Sequence, residues 1–363
     1  MPHALLISGS LGQGHDVMAQ ACADSLHARG WTTRTVDAMA LLGRSGSAVG
    51  ERVFRRLLDL PGAYDAFHFA ALRPGARVAL LAESAARARL APRVRELLAE
   101  RPAELVVSVF ATATAAVNAL RPELPDTAHL VLCTDATPHR LWVQEGTDLF
   151  LVTSEVAACG VRRYRPQAAV EVVAPPLRAA FYHPPERAKA RAELGVPPHA
   201  RCVLLMSGAW GLGPIARTAR ALADAGPHVL AVAGSNRELE RRLGASARRQ
   251  PRLHAFGHTD QVPALMAAAD LVVTSSGDTC TEARAIGRRL LLLDVVQGHG
   301  RDNLQHELEL GHADVTSAAP AEVVRNALAA LDRPAPTPSA AASPEAWRAG
   351  FEAALARVGL LGA

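Results

Sequence analysis

Aromatic side chains are scarce, 4% of the 363 residues, while apolar residues reach 49%. The cores must therefore be built from Ala, Leu and Val, which suits helices packed on a parallel sheet. No run reaches the eighteen or so apolar residues that span a bilayer. The opening MPHALLISGS has no basic stretch ahead of its apolar run, so it reads as a strand and not as a secretory signal. There is no Lys/Arg run interleaved with aromatics, and the net charge of +4 is modest, so nucleic acid is not an expected partner. That charge still favours an anionic ligand or a membrane surface. Cys22, Cys133, Cys159, Cys202 and Cys280 show no CxxC spacing and read as free thiols in a reducing compartment. A D-x-D pair for a diphosphate-bound cation is missing. His254 and His258 are four apart on a strand and turn, where that spacing does not share a face, so no metal site is expected. These absences predict a cytoplasmic protein, with any membrane contact peripheral and at the inner face.

What is present is a rhythm. Short apolar runs (ALLIS, TTRTVDA, LVVSVF, HLVLCT, LFLVTS) alternate with amphipathic stretches such as DVMAQACADSLHARG and APRVRELLAER. After a Pro-rich shift the rhythm restarts with CVLLMSG, HVLAVAG, LHAFG, LVVTSSG and LLLLDVV. This is the βαβ alternation of doubly wound parallel sheets, and the length suits two domains. The expected division is 1–183 as an N-terminal Rossmann-like domain, 184–200 as linker and 201–333 as a C-terminal Rossmann-like domain. Residues 334–363 form a Pro/Ala-rich loop and a final helix.

Each half opens on the same loop. SGSLGQGHD starts at Ser8 and SGAWGLGPI at Ser207, both S-G-x-x-G-x-G after an apolar run and before a helical pattern. The glycines permit a tight turn, and the following helix offers unpaired N–H groups and the positive end of its dipole. His15 stands at the first helix start, either as a packing or capping residue or as a general base. The dipole there disfavours an imidazolium. Asp16 can cap the same helix. Pro214, in the equivalent place of the second loop, suits a first helical position. TSSGDTCTEARAIG repeats the strand–turn–helix arrangement around Gly277, Asp278 and Thr279, with Glu282 one turn in, where a carboxylate can hold a ribose diol or merely favour the helix start. DVVQGHGRDNLQHELELG is a polar loop whose Gln297, His299, Asp302 and Asn303 can bind a sugar or cap a helix. TDATPHRLW follows a strand, so Asp135, His139 and Trp142 lie at a carboxyl edge, Trp142 being equally readable as packing. ERVFRRLLDLPGAYDAFHFAALRPG fits either an ordinary amphipathic helix or a membrane-interface segment.

The ordered set of motifs resembles the two-domain GT-B glycosyltransferases. It is most similar to the family of monogalactosyldiacylglycerol synthases, diacylglycerol glucosyltransferases and the lipid-linked N-acetylglucosaminyltransferase of peptidoglycan synthesis. SGSLGQGHD resembles that family's first loop, TDATPHRLW its T-D-x-x-x-H-x-x-W segment and PGAYDAFH its lipid-facing region. SGAWGLGPI resembles its donor-side loop, and TSSGDTCTEARAIG its ribose-binding segment. The resemblance implies an α/β GT-B fold, with two Rossmann-like domains facing a central cleft. It implies His15 as the base, with Gly12, Gly14, Asp135, His139 and Trp142 on the acceptor side. Gly208, Gly211 and Gly213 then approach a diphosphate, Phe256 flanks uracil, and Gly277, Asp278, Thr279 and Glu282 serve the nucleotide. Gln297, His299 and Asn303 serve the donor sugar. Two departures stand out: Asp278 occupies a position that is often small or proline, and His299 precedes Asn303 where the family commonly has glutamine.

The implied activity is inverting, metal-independent transfer of glucose, galactose or N-acetylglucosamine from a UDP-sugar to a lipid or natural-product hydroxyl, with no cofactor. A hydrolysing UDP-N-acetylglucosamine 2-epimerase and a non-catalytic sugar-nucleotide binding protein fit the same architecture. An NAD-type dehydrogenase is a third enzyme class: GSLGQGHD with Asp37 about twenty residues on faintly echoes the dinucleotide fingerprint, although Val17 stands where its third glycine belongs and the repeat of the loop at Ser207 is unexplained by it.

Overall fold

The computed structural model describes residues 1–9, 14–41, 77–208, 211–295, 299–310, 313–339 and 343–361, with side chains at all of these except 77–82, 85, 86, 299 and 300. Gly12, Gln297 and the PGAYDAFH segment lie outside the described residues, as does the His299 side chain. The chain divides into two compact units, Met1–Leu177 with Pro344–Ala363, and Arg178–Ser343. The sequence pattern points to residues 184–200 for the division; the contacts divide the chain at Leu177/Arg178.

The first unit runs β1 (His3–Ser8), α1 (Gly14–His27), β2 (Thr32–Asp37), α2 (Ala38–Leu41), α3 (Arg77–Glu100), β3 (Leu105–Ser108), α4 (Ala111–Leu120), β4 (Ala128–Leu132), β5 (Leu149–Val152), α5 (Glu155–Tyr164) and β6 (Val170–Val172). Its six strands are parallel in the order β2-β1-β3-β4-β5-β6. β1, β3 and β5 are buried along their whole length, which is why they read as continuous apolar runs. The strand order reverses direction between β1 and β3, and ligands in such sheets bind at the carboxyl ends beside that point. The expected helix over 91–101 extends back to Arg77 and runs through Pro92. Proline removes one helical hydrogen bond, but burial of Leu90, Ala91, Val94 and Leu98 on the sheet holds the helix together.

The second unit runs α6 (Ala179–Tyr182), α7 (Arg187–Glu193), β7 (Cys202–Leu205), α8 (Ile215–Asp224), β8 (His228–Val232), α9 (Arg237–Ala247), β9 (Leu253–Phe256), α10 (Val262–Ala268), β10 (Leu271–Thr274), α11 (Asp278–Ala285), β11 (Arg289–Leu293), α12 (His299–Glu309), β12 (Ala313–Thr316) and α13 (Pro320–Leu331). Its sheet is again all parallel, in the order β12-β11-β10-β7-β8-β9, with the reversal between β7 and β10. The polar stretch read as a loop after β11 is helical from His299 onward. A last helix, α14 (Pro344–Arg357), returns to the first unit. There Trp347, Phe351 and Leu355 join the core formed by α1 and the strands.

Candidate functional site

Each unit presents polar groups where its strand order reverses. In the first unit β1 ends at Ser8, and α1 begins at Gly14 with His15 in its first turn. The Ser8 hydroxyl donates to Asp16 Oδ1 at 2.6 Å, tying the strand end to the helix start. His15 Nε2 lies 3.3 Å from Thr134 Oγ1, and its ring meets Phe110 edge-on at 5.2 Å and 89°. Phe110 follows β3 and Thr134 follows β4, so three strand ends position the imidazole. Gly9 is required beneath them, because a Cβ there lands 2.3 Å from the Phe110 ring.

The 133–144 segment is internally braced. The Trp142 indole N–H donates to Asp135 Oδ2 at 2.7 Å, and His139 Nε2 is 3.6 Å from the same oxygen. His139 Nδ1 accepts the Leu141 N–H at 3.3 Å, which turns a protonated Nε2 toward the carboxylate. Trp142 is only 2% exposed and packs with Val131, Leu141 and Phe150, so its ring is core. Arg140 Nε reaches the buried Glu83 carboxylate at 3.0 Å, and Arg87 pairs with the same group. Asp135 and His139 keep part of their side chains open to solvent, as do Arg140 and Arg87.

In the second unit Ser207 follows β7 and Thr274 ends β10, and the Met206 N–H donates to Val273 O at 3.0 Å between them. Both hydroxyls are buried, at 1% and 0% exposure, and neither has a hydrogen-bond partner among the described residues. A buried hydroxyl without a partner costs free energy that a bound ligand can restore. Gly208, Gly211 and Gly213 follow with φ of +59°, +60° and +88°. A Cβ on Gly211 meets Leu239 Cδ2 at 2.5 Å. Pro214 is the cap residue just before α8, one position earlier than expected. Gly277 caps α11, so Asp278 and Thr279 occupy its first turn.

Glu282 lies one turn further into α11. Burial pushes its carboxyl up to about 7, while Arg178 draws it down and Asp278 raises it again. Arg178 Nη2 is 3.6 Å from Glu282 Oε1, and the guanidinium lies over the Phe181 ring at 4.9 Å. Phe256 ends β9, where its carbonyl accepts the Ala233 N–H at 2.8 Å. His299 and Asn303, four apart in α12, share a helix face by position. His254 is engaged by His228, with ring centroids 5.6 Å apart. No group of three or more metal-binding side chains occurs among the described residues.

Phe110, Thr134, Gly9, Glu83, Arg178, Ser207 and Thr274 were not picked out from sequence. Gly9, Thr134, Ser207 and Thr274 stand inside the quoted motifs, and that membership is a usable signal. Phe110 and Arg178 carry none, because their partners lie far along the chain.

No protein-family model matches the sequence. The chain is similar to the probable chloroplastic monogalactosyldiacylglycerol synthase of Nicotiana tabacum, 32% identical over 188 residues, covering 48% of this chain and 35% of that protein. It is also similar to the processive diacylglycerol β-glucosyltransferase of Bacillus pumilus, 28% identical over 187 residues, covering 50% of this chain and 49% of that one. The chain thus spans about a third to a half of the curated relatives it matches. Among solved structures, S. aureus MnaA with UDP superposes with a TM-score of 0.65 at 12% identity, covering 99% of this chain and 98% of that one. Acinetobacter baumannii MurG superposes at 0.62 and 13%, covering 99% and 100%. The relatives' names bear out the family resemblance of the motifs, and the two six-stranded α/β units have the fold of the GT-B glycosyltransferases.

Proposed function

We propose that the protein is a glycosyltransferase that moves a hexose from a UDP-sugar to an acceptor hydroxyl, with inversion and without a metal ion. The observation that carries this reading is the donor-side arrangement of the second unit. A glycine loop, a helix start, two buried hydroxyls with no partner among the described residues and a half-buried glutamate all gather at one switch point. N–H groups at the starts of α8 and α11 suit a diphosphate, and Glu282 suits the ribose diol.

In the proposed step the His15 imidazole takes the proton of the acceptor hydroxyl. The acceptor oxygen forms a bond to the anomeric carbon from the face opposite UDP. The bond from that carbon to the diphosphate oxygen breaks, and UDP leaves with the electron pair. The donor-side N–H groups and hydroxyls bind the charge that develops on the leaving oxygen. Thr134 and Phe110 hold the imidazole in place, and the braced 133–144 segment shapes the ground beside it. Glucose, galactose and N-acetylglucosamine are the candidate sugars. The relatives' names make a diacylglycerol lipid the first acceptor to try, and natural-product alcohols the second. The five free thiols and the lack of any helix, among the described residues, long and apolar enough to cross a membrane support work in the cytoplasm or at its inner surface.

His15→Ala is expected to lower transfer at least about a hundredfold while leaving UDP affinity nearly unchanged. Radiolabelled sugar transfer and calorimetric UDP titration on the same preparation check this, and equal loss of both removes His15 from the reaction. A thermal-shift panel of UDP-glucose, UDP-galactose and UDP-N-acetylglucosamine, with their TDP and GDP counterparts, identifies the donor by the largest stabilisation.

A further inference from the structure

We propose that the second unit carries a separate site for a phosphate-type dianion, an arginine pocket at the amino ends of its strands. A cavity of about 360 Å³ there is lined by Arg187, Arg191, Arg201, Arg288, Arg289 and Arg333, and Asp270 is the carboxylate in its wall. Its place in the fold separates it from the donor-side groups. Arg201 immediately precedes β7, Asp270 immediately precedes β10, Arg288 immediately precedes β11 and Arg289 opens it, whereas Ser207 and Thr274 stand at the opposite strand ends. Six residues of extended chain from Arg201 to Ser207 put roughly 20 Å between the two edges.

Charge is the reason for a ligand. Asp270 serves two guanidiniums at once, pairing with Arg187 and with Arg191 at 2.9 Å. Arg201 pairs with Asp332 at 2.6 Å, and Arg333 pairs with Asp314. Arg288 donates to two carbonyls, Met266 O at 2.8 Å and Ala267 O at 3.0 Å, which carry no charge to neutralise it. Arg289 Nη2 likewise reaches the Pro334 carbonyl, and its buried Nε has no partner among the described residues. Six guanidiniums therefore meet three carboxylates, leaving a surplus of three positive charges around one concavity. Burial first, then repulsion from Arg187 and Arg333 respectively, lowers Arg288 and Arg289 below the ordinary guanidinium range.

The buried Arg191, 2% exposed, also binds the carbonyls of Pro198, Ala200 and Ala268, so part of the cluster is structural. Arg191 and Arg288 are thus anchored on carbonyls, while the half-exposed Arg187, Arg201 and Arg333 line the rim of the same concavity, where they can meet a ligand. Guanidinium forks match phosphate oxygens in bidentate geometry, and the volume lies within the range of small-molecule sites, roughly 300–1,000 Å³. The ligand is a phosphomonoester with an organic body, carried either on a free small molecule or on a lipid headgroup.

The test uses the full chain with UDP present throughout. Glycerol 3-phosphate is titrated calorimetrically, with glycerol as the control, into the natural protein and into R201Q/R333Q. These rim arginines make exposed pairs, which add little to stability, so the double variant is expected to fold. Circular dichroism checks that, and R187Q replaces it should it not. The natural protein is expected to bind glycerol 3-phosphate and the variant to bind it at least about tenfold more weakly. In a second arm, both proteins are sedimented with phosphatidylcholine vesicles with and without phosphatidic acid. Sedimentation that depends on phosphatidic acid and is lost in the variant assigns the phosphate to a lipid. Glycerol 3-phosphate binding without vesicle binding assigns it to a soluble molecule. Binding of neither probe above its control, or equal binding by the natural and variant proteins, overturns the site.

Discussion

Glu282 is a carboxylate whose burial works against its charge. With its value pushed from 4.5 up to about 7, the folded protein holds this proton over a pH range in which the unfolded chain has released it. The folded state binds more protons there, so this group makes stability fall as pH rises from 4.5 to about 7. Glu282→Gln is expected to flatten that part of the stability–pH curve in urea titrations at several pH values. Under the proposed function a second consequence is measurable. A carboxylate accepts two hydrogen bonds from a ribose diol, whereas the protonated acid does not, so UDP affinity is expected to rise with pH through about 7. Calorimetric titration across that range checks it, with Glu282→Gln as the pH-independent control. Glu282 and His15 were legible because each sits at a fixed offset in a motif. Arg178 was not, because its partner lies about a hundred positions away.

The two glycine loops are the elements on which both candidate sites rest, and each has a physical constraint. In the second loop Gly211 combines a left-handed φ of +60° with a Cβ position 2.5 Å from Leu239 and 3.1 Å from the Ala233 carbonyl. Gly211→Ala is expected to destabilise the second unit by about 1–3 kcal/mol, read from urea unfolding. It should also weaken UDP binding if the loop is the diphosphate cradle. Elements with strong periodicity or continuous apolar runs were recognisable in order. The edge strands β6 (VEV) and β12 (ADVT) were not. Each pairs on one side only, so neither needs an apolar run, and short polar edges also discourage unwanted pairing. The start of α12 read as loop because a polar, glycine-containing turn and a polar helix start look alike over six residues.

Across the molecule, the chain leaves its first unit at Leu177 and returns to it at Pro344. The returning helix α14 inserts Trp347, 4% exposed, whose indole N–H donates to Ser25 Oγ at 3.1 Å and whose ring stacks on Phe351 at 5.2 Å. Trp347→Ala is expected to cost about 3–5 kcal/mol, borne by the first unit. Differential scanning calorimetry should show the transition of that unit lowered, while UDP stabilisation of the second persists. An amphipathic pattern over residues 344–357 announces a helix that packs, but not the surface it packs on.

Local features were readable from the order of the residues. Strand and helix periodicity, the loops that need glycine and the helix starts that can hold an anion all act over one to eight positions, and propensity and sterics operate at that range. Other features exist only once the chain is folded. Arg178 lies against Glu282, Phe110 against His15 and Trp347 against Ser25, and six arginines surround one cavity. Those pairings join residues tens to hundreds of positions apart, and the energies of burial and charge that make them matter arise only after the cores have excluded water.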